Sequence, residues 1–468
     1  MTAAPRPQVR GWFSLRLLLA LVLLGVTQFI AQVVLTRELL AVFLGNELSI
    51  ALVLATWLMT VAAGSALGAR VAPGLATPQR AFGWSQLFIA ALLPFALFTA
   101  RRVQPGNLTP GQVLGPGAML LTSLYTLALV CLVGGFQFVL GARAAACHWE
   151  RAQRTSERAV SPVALVYALE AAGAALGGIA FHCYLAERIL PFRLVGALGL
   201  LNIFSACSLL FSGRRVAARV VLPAVLLATA ALALAGRAES FEIASLRASP
   251  RWSALHPVSS MPSRYGALVV TEREGEISLF QSGVLLFTSE QDYANEVVAH
   301  LALLEHPAPR RVLIIGGAVA GLAGEVLKHS PAHLDCVELD PRVVALARLW
   351  LPRPLLQPLE DARVRLHLGD GRLFVKDTQQ RYDVIIVNVP DPTTAGLNRF
   401  YTLDFFRQVR RALAPDGILS IGLTGSPHHL SGALRRGAAA IDHTIALAFS
   451  YRLLVPGERM FFLAAGQR

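Results

Sequence analysis

Residues 312–329 read VLIIGGAVAGLAGEVLKH. An aliphatic run meets Gly316-Gly317, a third glycine follows at Gly321, and a helix-compatible stretch comes next. Strand, glycine turn and helix together outline a nucleotide-binding turn. Glycines let the backbone come close to a ligand, and a helix N-terminus favours negative or polar ligand atoms. The centre of this turn is Ala318-Val319-Ala320, with neither an acid nor a further glycine. By itself the pattern is weak, so the neighbouring strand ends must decide what it means.

Downstream, apolar runs alternate with helical patterns: LDCVELD, a helix from Pro341 to Leu351, RVRLHLGDG, a short helix, YDVIIVNVPDP, a helix across 402–413, and GILSIGL. Such alternation predicts a parallel sheet with helices on both faces, whose ligands bind at the carboxyl ends of the strands. Those ends carry Glu338, Asp370-Gly371, Asn388 and Asp391-Pro392. An acid about 20 residues past a glycine turn is placed for a ribose diol. That spacing fits Glu338, and Asp370 is placed to accept from an adenine amine. Acids that merely cap the following helices would give the same pattern. Thr402 is a candidate N-cap with Asp404 in the first turn behind it. Arg399 and Tyr401, on the loop after the fourth strand, are expected near the cleft.

Upstream, RYGALVVTEREGEISLFQSGVLLFTSEQD alternates and turns at Glu274-Gly275 and Ser282-Gly283, predicting a small β-hairpin module. Residues 237–262 have no clear period and read as a connector.

The first 236 residues are of another kind. The chain is 54% hydrophobic and 15% charged, and its apolar residues are concentrated there. Seven segments reach the roughly 20 apolar residues needed to span a bilayer: 13–35, 47–69, 81–100, 117–141, 160–185, 189–212 and 217–236. The first run is too long for a signal-peptide core. Arg6, Arg10, Arg16, Arg70, Arg80, Arg143, Arg151, Arg154, Arg158, Arg214, Arg215 and Arg219 mark one side; Arg37, Arg101, Arg102, Arg188 and Arg193 mark the other. The excess puts the N-terminus in the cytoplasm, and an odd number of spans then puts the C-terminal domain outside. Gly64 with Gly68, and Gly173 with Gly177, allow close helix packing. Gln28, Gln32, Gln137 and Glu170 are polar at membrane depth, where a carboxyl costs on the order of 2–3 kcal/mol. They read as an interhelical hydrogen-bond network, or else as a small polar site.

The net charge of +13 is nearly all arginine, but no basic run is interleaved with aromatics, so a nucleic-acid partner is not expected. The five cysteines have no CxxC spacing, which suggests neither a disulfide framework nor a metal site. His428-His429 reads as a turn-exposed pair.

With GG, VELDP, GDG, YDVIIVN, DP, FYTLDFF and LAPDGIL in this order, residues 263–468 resemble the spermidine synthases, the polyamine aminopropyltransferase family. FLGNELSIALVLATWLMTVAAGSALGAR and VYALEAAGAALGG resemble the membrane domain fused to such synthases in some bacteria. The resemblance implies an α-helical membrane bundle of seven spans (1–236), a connector (237–262) and a spermidine-synthase-like domain (263–468). Within that domain, 263–292 form the β module and 293–468 an α/β Rossmann-like, methyltransferase-type fold. It also implies a bacterial inner membrane as location. The implied cofactor is decarboxylated S-adenosylmethionine, S-adenosylmethionine or methylthioadenosine, without a metal. Gly316, Gly317, Gly321, Glu338, Asp370 and Gly371 would bind it.

The amine end departs from the family. Val319 stands where the family has an acid, and Asn388 replaces its catalytic Asp. The YHE motif falls on Ala294-Asn295-Glu296 with Tyr293 one place early, and Gln281-Ser282-Gly283 with Leu286 replace LDG and its Gln. Asp391 and Glu296 remain as acids, with Tyr293, Arg399 and Tyr401 as further substrate-side residues. A neutral amide cannot act as a base, and loss of a positioned base costs about 10²–10⁴ in rate. Three readings follow: a transferase with an altered acceptor; a non-catalytic module assembling with a membrane or periplasmic partner; and a transporter using Glu170. Expected partners are the lipid bilayer and a second copy through the soluble domain.

Overall fold

The computed structural model describes residues 10–103, 114–152, 161–211, 214–426, 428 and 430–467. Arg6, Arg154, Arg158 and His429 lie outside them, as do the side chains of Arg10, Arg151, Arg214, Arg215 and Arg219. The chain divides into two units, Met1–Ala267 and Leu268–Arg468.

The first unit is helical: α1 Arg10–Phe43, α2 Glu47–Val71, α3 Pro78–Arg102, α4 Pro116–Ala152, α5 Pro162–Ala180, α6 Pro191–Leu210, α7 Arg214–Gly236 and α8 Ala238–Arg247. Among the described residues six helices are long and apolar enough to cross a membrane. The seventh expected segment counts only as a pair, Val220–Gly236 and Ala238–Arg247, bent by 84°. The connector expected over 237–262 holds α8 and the strand β1 Pro257–Ser263. An aperiodic polar stretch hid this helix because its buried face is partly polar, with Glu242 and Ser245 inside.

Small residues set the helix spacing. A Cβ on Gly64 would fall 2.1 Å from the Leu132 carbonyl oxygen, and one on Gly135 would fall 2.0 Å from that of Val61. Gly173 meets Val22 O at 2.0 Å and Gly25 meets Glu170 O at 2.0 Å. Helices α2 and α4, and α1 and α5, therefore touch backbone to backbone through reciprocal glycines, and Gly25 and Gly135 complete the pairs that Gly64 and Gly173 begin.

The network expected from Gln28 and Gln137 does not form. Both amides are buried without a hydrogen-bond partner among the described residues, while Asn202 Nδ2 donates to Thr27 Oγ1 at 2.9 Å. Glu170 and Gln32 are half-buried. Gln28 lies instead over Gly134 of α4, where a Cβ would meet its Nε2 at 2.3 Å.

The second unit begins with an antiparallel meander, β2 Gly266–Arg273, β3 Glu276–Gln281 and β4 Val284–Thr288. Its turns fall at Glu274-Gly275 and Ser282-Gly283, and all four residues have positive φ. Two successive positive φ values match the twist of a tight hairpin.

A seven-stranded sheet follows: β5 Arg311–Ile315, β6 His333–Glu338, β7 Val364–Leu368, β8 Tyr382–Val387, β9 Leu413–Thr424, β10 Tyr451–Val455 and β11 Arg459–Ala465. Their order is β10-β11-β9-β8-β5-β6-β7. Strands β5 to β9 pair in parallel as expected, but β11 pairs antiparallel with β9, and β10 with β11, so the sheet is mixed. A short link between β10 and β11 permits only a hairpin.

Both faces of the sheet are covered. Val312 and Ile314 pack in one core with Val298 and Ala302 of α9 Asp292–Leu303, whereas Leu313 and Ile315 pack in the other with Phe405, Phe406 and Ile441. A strand buried on both sides reads as one continuous apolar run, which is why VLII lacks alternation.

Candidate functional site

The ends of β5, β6, β7 and β8 converge on the glycine turn, which leads into α10 Leu322–Leu327. Gly316, Gly317 and Gly321 have φ of +80°, +73° and +96°. A side chain is costly in that region, and the space around the turn is also taken. A Cβ on Gly316 would lie 2.8 Å from the Asn388 carbonyl oxygen, and one on Gly317 would lie 2.4 Å from Asn388 Nδ2. Asn388 N in turn donates to Ile315 O at 2.9 Å. Asn388 is therefore the floor of the turn.

The centre of the turn faces inward. Ala318, Val319 and Ala320 are all buried, with Val319 fully so. Val319 packs in the protein interior and contributes nothing to a cleft. The turn is held from α9, where Asn295 Nδ2 donates to Ala320 O at 2.7 Å and Gln291 Nε2 does so at 3.3 Å. Asn295 is the middle residue of the stretch that falls on the YHE motif; Gln291 was not singled out in the sequence, and its only signal is its position one helical turn before Asn295 at the start of α9. Tyr293 and Glu296, expected on the substrate side, lie on the exposed face of that helix, and Tyr293 is 79% exposed. One residue of helical rotation separates Asn295 from Glu296, about 100°, which sends them to different faces.

Glu338 ends β6. Burial pushes its carboxyl up to about 7, although the backbone N–H groups of Asp340, Leu339 and Gly317 act on the charged form in the opposite sense. Leu339 N donates to Glu338 Oε1 at 3.0 Å. The neighbouring Val337 O accepts from Gly316 N at 3.0 Å, which ties this strand end to the glycine turn. Beside it, the buried Asp340 caps α11 Pro341–Trp350 by accepting from Arg342 N at 3.0 Å, and takes Gln281 Nε2 from β3 at 3.1 Å. This joins the meander to the cleft wall.

Asp370 ends β7 and caps α12 Gly371–Asp377, accepting from Arg372 N at 2.9 Å. Its second oxygen takes Arg399 Nη1 at 2.7 Å. Gly371 is required by close packing, because a Cβ there would meet Ile315 Cγ2 at 2.4 Å. Asp391, after β8, accepts from Thr424 N at 2.9 Å through Oδ1.

Tyr401 is structural. It is 5% exposed and its hydroxyl donates to Gly422 O at 3.0 Å. Burial and the nearby Asp391 charge push its phenol well above the usual range. Arg459 Nη2 reaches Val389 O at 3.2 Å, and burial draws its guanidinium down. The structure thus brings Gly316, Gly317, Glu338, Asp370, Asn388 and Arg399 to the strand ends. Tyr293 and Glu296 lie exposed on α9, and Tyr401 is buried with its hydroxyl 3.4 Å from Pro390 O, next to Asp391. Among the described residues no group of three or more His, Cys, Asp or Glu forms a metal cluster.

A family described as the spermine/spermidine synthase domain matches residues 291–429. The polyamine aminopropyltransferase of Nitrosomonas europaea is 36% identical over 172 residues, covering 36% of this chain and 52% of that protein. Polyamine aminopropyltransferase 1 of Streptomyces coelicolor is 33% identical over 287 residues, covering 58% of this chain and 53% of the relative. That match is longer than the C-terminal unit, so it enters the helical half. The chain spans about half the length of these two relatives. A spermidine synthase crystallised with the transition-state analogue AdoDATO is 25% identical, with a TM-score of 0.40, over 45% of this chain and 73% of that one.

Proposed function

From the spermine/spermidine synthase domain that the C-terminal region of this chain carries, we propose that this region binds a decarboxylated S-adenosylmethionine-type nucleoside and transfers its aminopropyl group to an amine. One observation carries the reading. Glu338 ends β6 directly after Val337, whose carbonyl accepts from Gly316 N of the turn at 3.0 Å, so diol acceptor and close-approach backbone stand side by side. Asp370 at the next strand end supplies the acceptor for an exocyclic amine.

In the transfer, the acceptor nitrogen attacks the methylene carbon next to the sulfonium. The carbon–sulfur bond breaks, sulfur keeps the electron pair, and methylthioadenosine leaves. The nitrogen must give up a proton, which calls for a carboxylate within reach. Asn388 is a neutral amide and orients without accepting a proton. Asp391 keeps Oδ2 beyond its bond from Thr424 N and is the carboxylate we assign to this step. The six apolar helices are compatible with a membrane location, which we propose for the chain.

A second reading, a non-catalytic assembly module, is favoured by the acceptor end. Val319 is fully buried and Asn388 is neutral, so two carboxylates of the family pattern are missing there.

Calorimetry of the full-length protein with decarboxylated S-adenosylmethionine, S-adenosylmethionine and methylthioadenosine, followed by mass spectrometry for an aminopropylated amine, separates the two. Binding with product that falls by about 10²-fold or more in Asp391→Ala supports transfer. Binding without product supports the module. Absence of nucleoside binding refutes the first reading.

A further inference from the structure

The six apolar helices of the first unit repeat one three-helix pattern. Ala62-Ala63-Gly64-Ser65-Ala66-Leu67-Gly68 in α2 returns in α5 as Ala171-Ala172-Gly173-Ala174-Ala175-Leu176-Gly177. Pro78, Arg80 and Gly83 open α3 with the spacing of Pro191, Arg193 and Gly196 in α6. The contacts repeat as well. Gly64 of α2 meets Leu132 O of α4 and Gly135 meets Val61 O, just as Gly173 of α5 meets Val22 O of α1 and Gly25 meets Glu170 O. Gly25 thus corresponds to Gly135, and Val61 to Glu170.

The two copies run in opposite senses. Helices α1 and α5 are parallel, with Gly173 beside Val22 and Gly177 beside Ile30, whereas α3 and α6 are antiparallel, with Gly83 beside Leu210 and Gly199 beside Ala90. With three spans in each copy, the second enters the membrane from the other side. Inverted repeats of this kind, related by an axis in the membrane plane, build carriers with a site at the repeat interface.

The copies differ at one end. Eight residues past the paired glycine, α5 passes into a π turn, Phe181–Leu185, and α2 into a 3₁₀ turn, Ala72–Gly74. Both geometries are frequent at hinges and functional sites. Beside the π turn is a cavity of about 50 Å³, walled by Val34, Phe181 and Leu194 among others. Their counterparts by register are Ala144, Ala72 and Ala81, and all three pack in one core with Phe82 and Leu140. One pattern thus occurs with a gap at one end of the bundle and filled at the other.

Glu170 lies at the α1–α5 contact between the copies, where its counterpart Val61 is apolar. It is half-buried, and among the described residues no hydrogen bond or ion pair reaches its carboxyl. Residues 17–36 of α1 and 117–142 of α4, the helices packed against α5, carry no charge. The titratable residues there are Tyr125, which is exposed, and Cys131, which is turned toward Thr60; Tyr167 of α5 is exposed too. An unpaired ion at membrane depth is costly, so this carboxyl holds either a proton or one small cation.

We propose that the six helices form a carrier that exposes Glu170 to the two membrane sides in turn, by exchanging the π and 3₁₀ turns between the copies, and that it exchanges one proton for one small organic monocation. The cation binds the carboxylate as the proton leaves to the open side; after the turns change over, a proton from the other side displaces it. The proposal rests on the membrane location proposed above and not on the transferase reading.

The test uses the full-length protein in liposomes, with radiolabelled tetramethylammonium, which has no neutral form, as the probe. An acid interior should drive saturable uptake that protein-free liposomes lack, and Glu170→Gln should abolish it with the melting temperature held. Hydrogen exchange at constant pH supplies a readout that does not depend on flux. Saturating tetramethylammonium should change exchange at residues 72–78 and 181–189 in opposite directions, and Glu170→Gln should remove that response. Absence of saturable uptake, uptake that survives in Glu170→Gln, or exchange that moves the same way or not at all in both segments would overturn the proposal. Protein that fails to enter liposomes would overturn the membrane reading beneath it as well.

Discussion

The guanidinium of Arg399 lies 2.7 Å from the carboxylate of Asp370, on the oxygen that the helix cap leaves free. The residue expected to meet substrate thus occupies the acid expected to meet the nucleobase. A base amine and Arg399 must compete for one oxygen or share it. Arg399→Ala should leave stability within about 1 kcal/mol, since the pair is partly exposed, and strengthen methylthioadenosine binding by up to about tenfold. Asp370→Ala should weaken both binding and stability, the latter by about 0.5–2 kcal/mol. Calorimetry and thermal melting of the two variants check this.

Glu338 gives a pH dependence of defined sign. Its folded value of about 7 lies above the ordinary 4.5, so the folded state binds the proton more tightly than the unfolded state. The stability contributed is fully present below about 4.5 and is lost as pH rises through about 7, amounting to no more than about 3 kcal/mol. Diol binding has the opposite preference, because a carboxylate accepts two hydroxyls better than a carboxyl does. Nucleoside affinity should therefore rise between about pH 6 and 8 while unliganded stability falls over the same range. Glu338→Gln should flatten both profiles, and an unchanged stability profile in that variant would assign the effect to another group.

Gly316 and Gly317 differ in what a methyl group would strike. At Gly316 it meets a backbone carbonyl, and at Gly317 the end of the Asn388 side chain. Both carry positive φ, worth about 1–2 kcal/mol for a residue other than glycine. Gly316→Ala should therefore destabilise clearly more than Gly317→Ala in denaturant melts, because an amide side chain can move aside and a strand carbonyl cannot.

Tyr401 tests the division between frame and site. Tyr401→Phe removes the donor to Gly422 O and should cost about 1 kcal/mol. Nucleoside affinity should stay within about twofold, which a substrate-binding tyrosine would not allow.

In the helical unit, Gly64→Ala puts a methyl 2.1 Å from the Leu132 carbonyl oxygen. Overpacking of this kind costs about 1–3 kcal/mol. Gly117→Ala meets nothing within 4 Å and should be neutral in the same detergent melt.

The legible parts of the chain were those where local chemistry is unambiguous. Glu274-Gly275 and Ser282-Gly283 announced tight hairpins because positive φ has few tenants. Thr402, with Asp404 behind it, announced a helix start, and the structure caps α13 Leu403–Ala412 there through Phe405 N. Gly64 and Gly173 announced close helix contacts. Less legible were Gln291 and Asn295, whose bonds to Ala320 O depend on how α9 is rotated against the turn. Tyr401 was expected near the cleft and stands next to Asp391, but that its hydroxyl turns inward to Gly422 O was not legible, because a polar aromatic can point either way. Helix α8 went unseen because its inward face is held by ions instead of apolar side chains.

Taken by itself, the sequence determined the two kinds of chain, the strand–turn–helix at 312–329 and the acids at the strand ends, because period, glycine position and spacing act over short distances. Only the tertiary structure decided that Val319 packs inward, that Arg399 holds Asp370, and that Glu38, Arg101 and Glu242 meet around one guanidinium. Those outcomes depend on which side chains far apart in the chain reach the same few ångströms, and packing alone sets that.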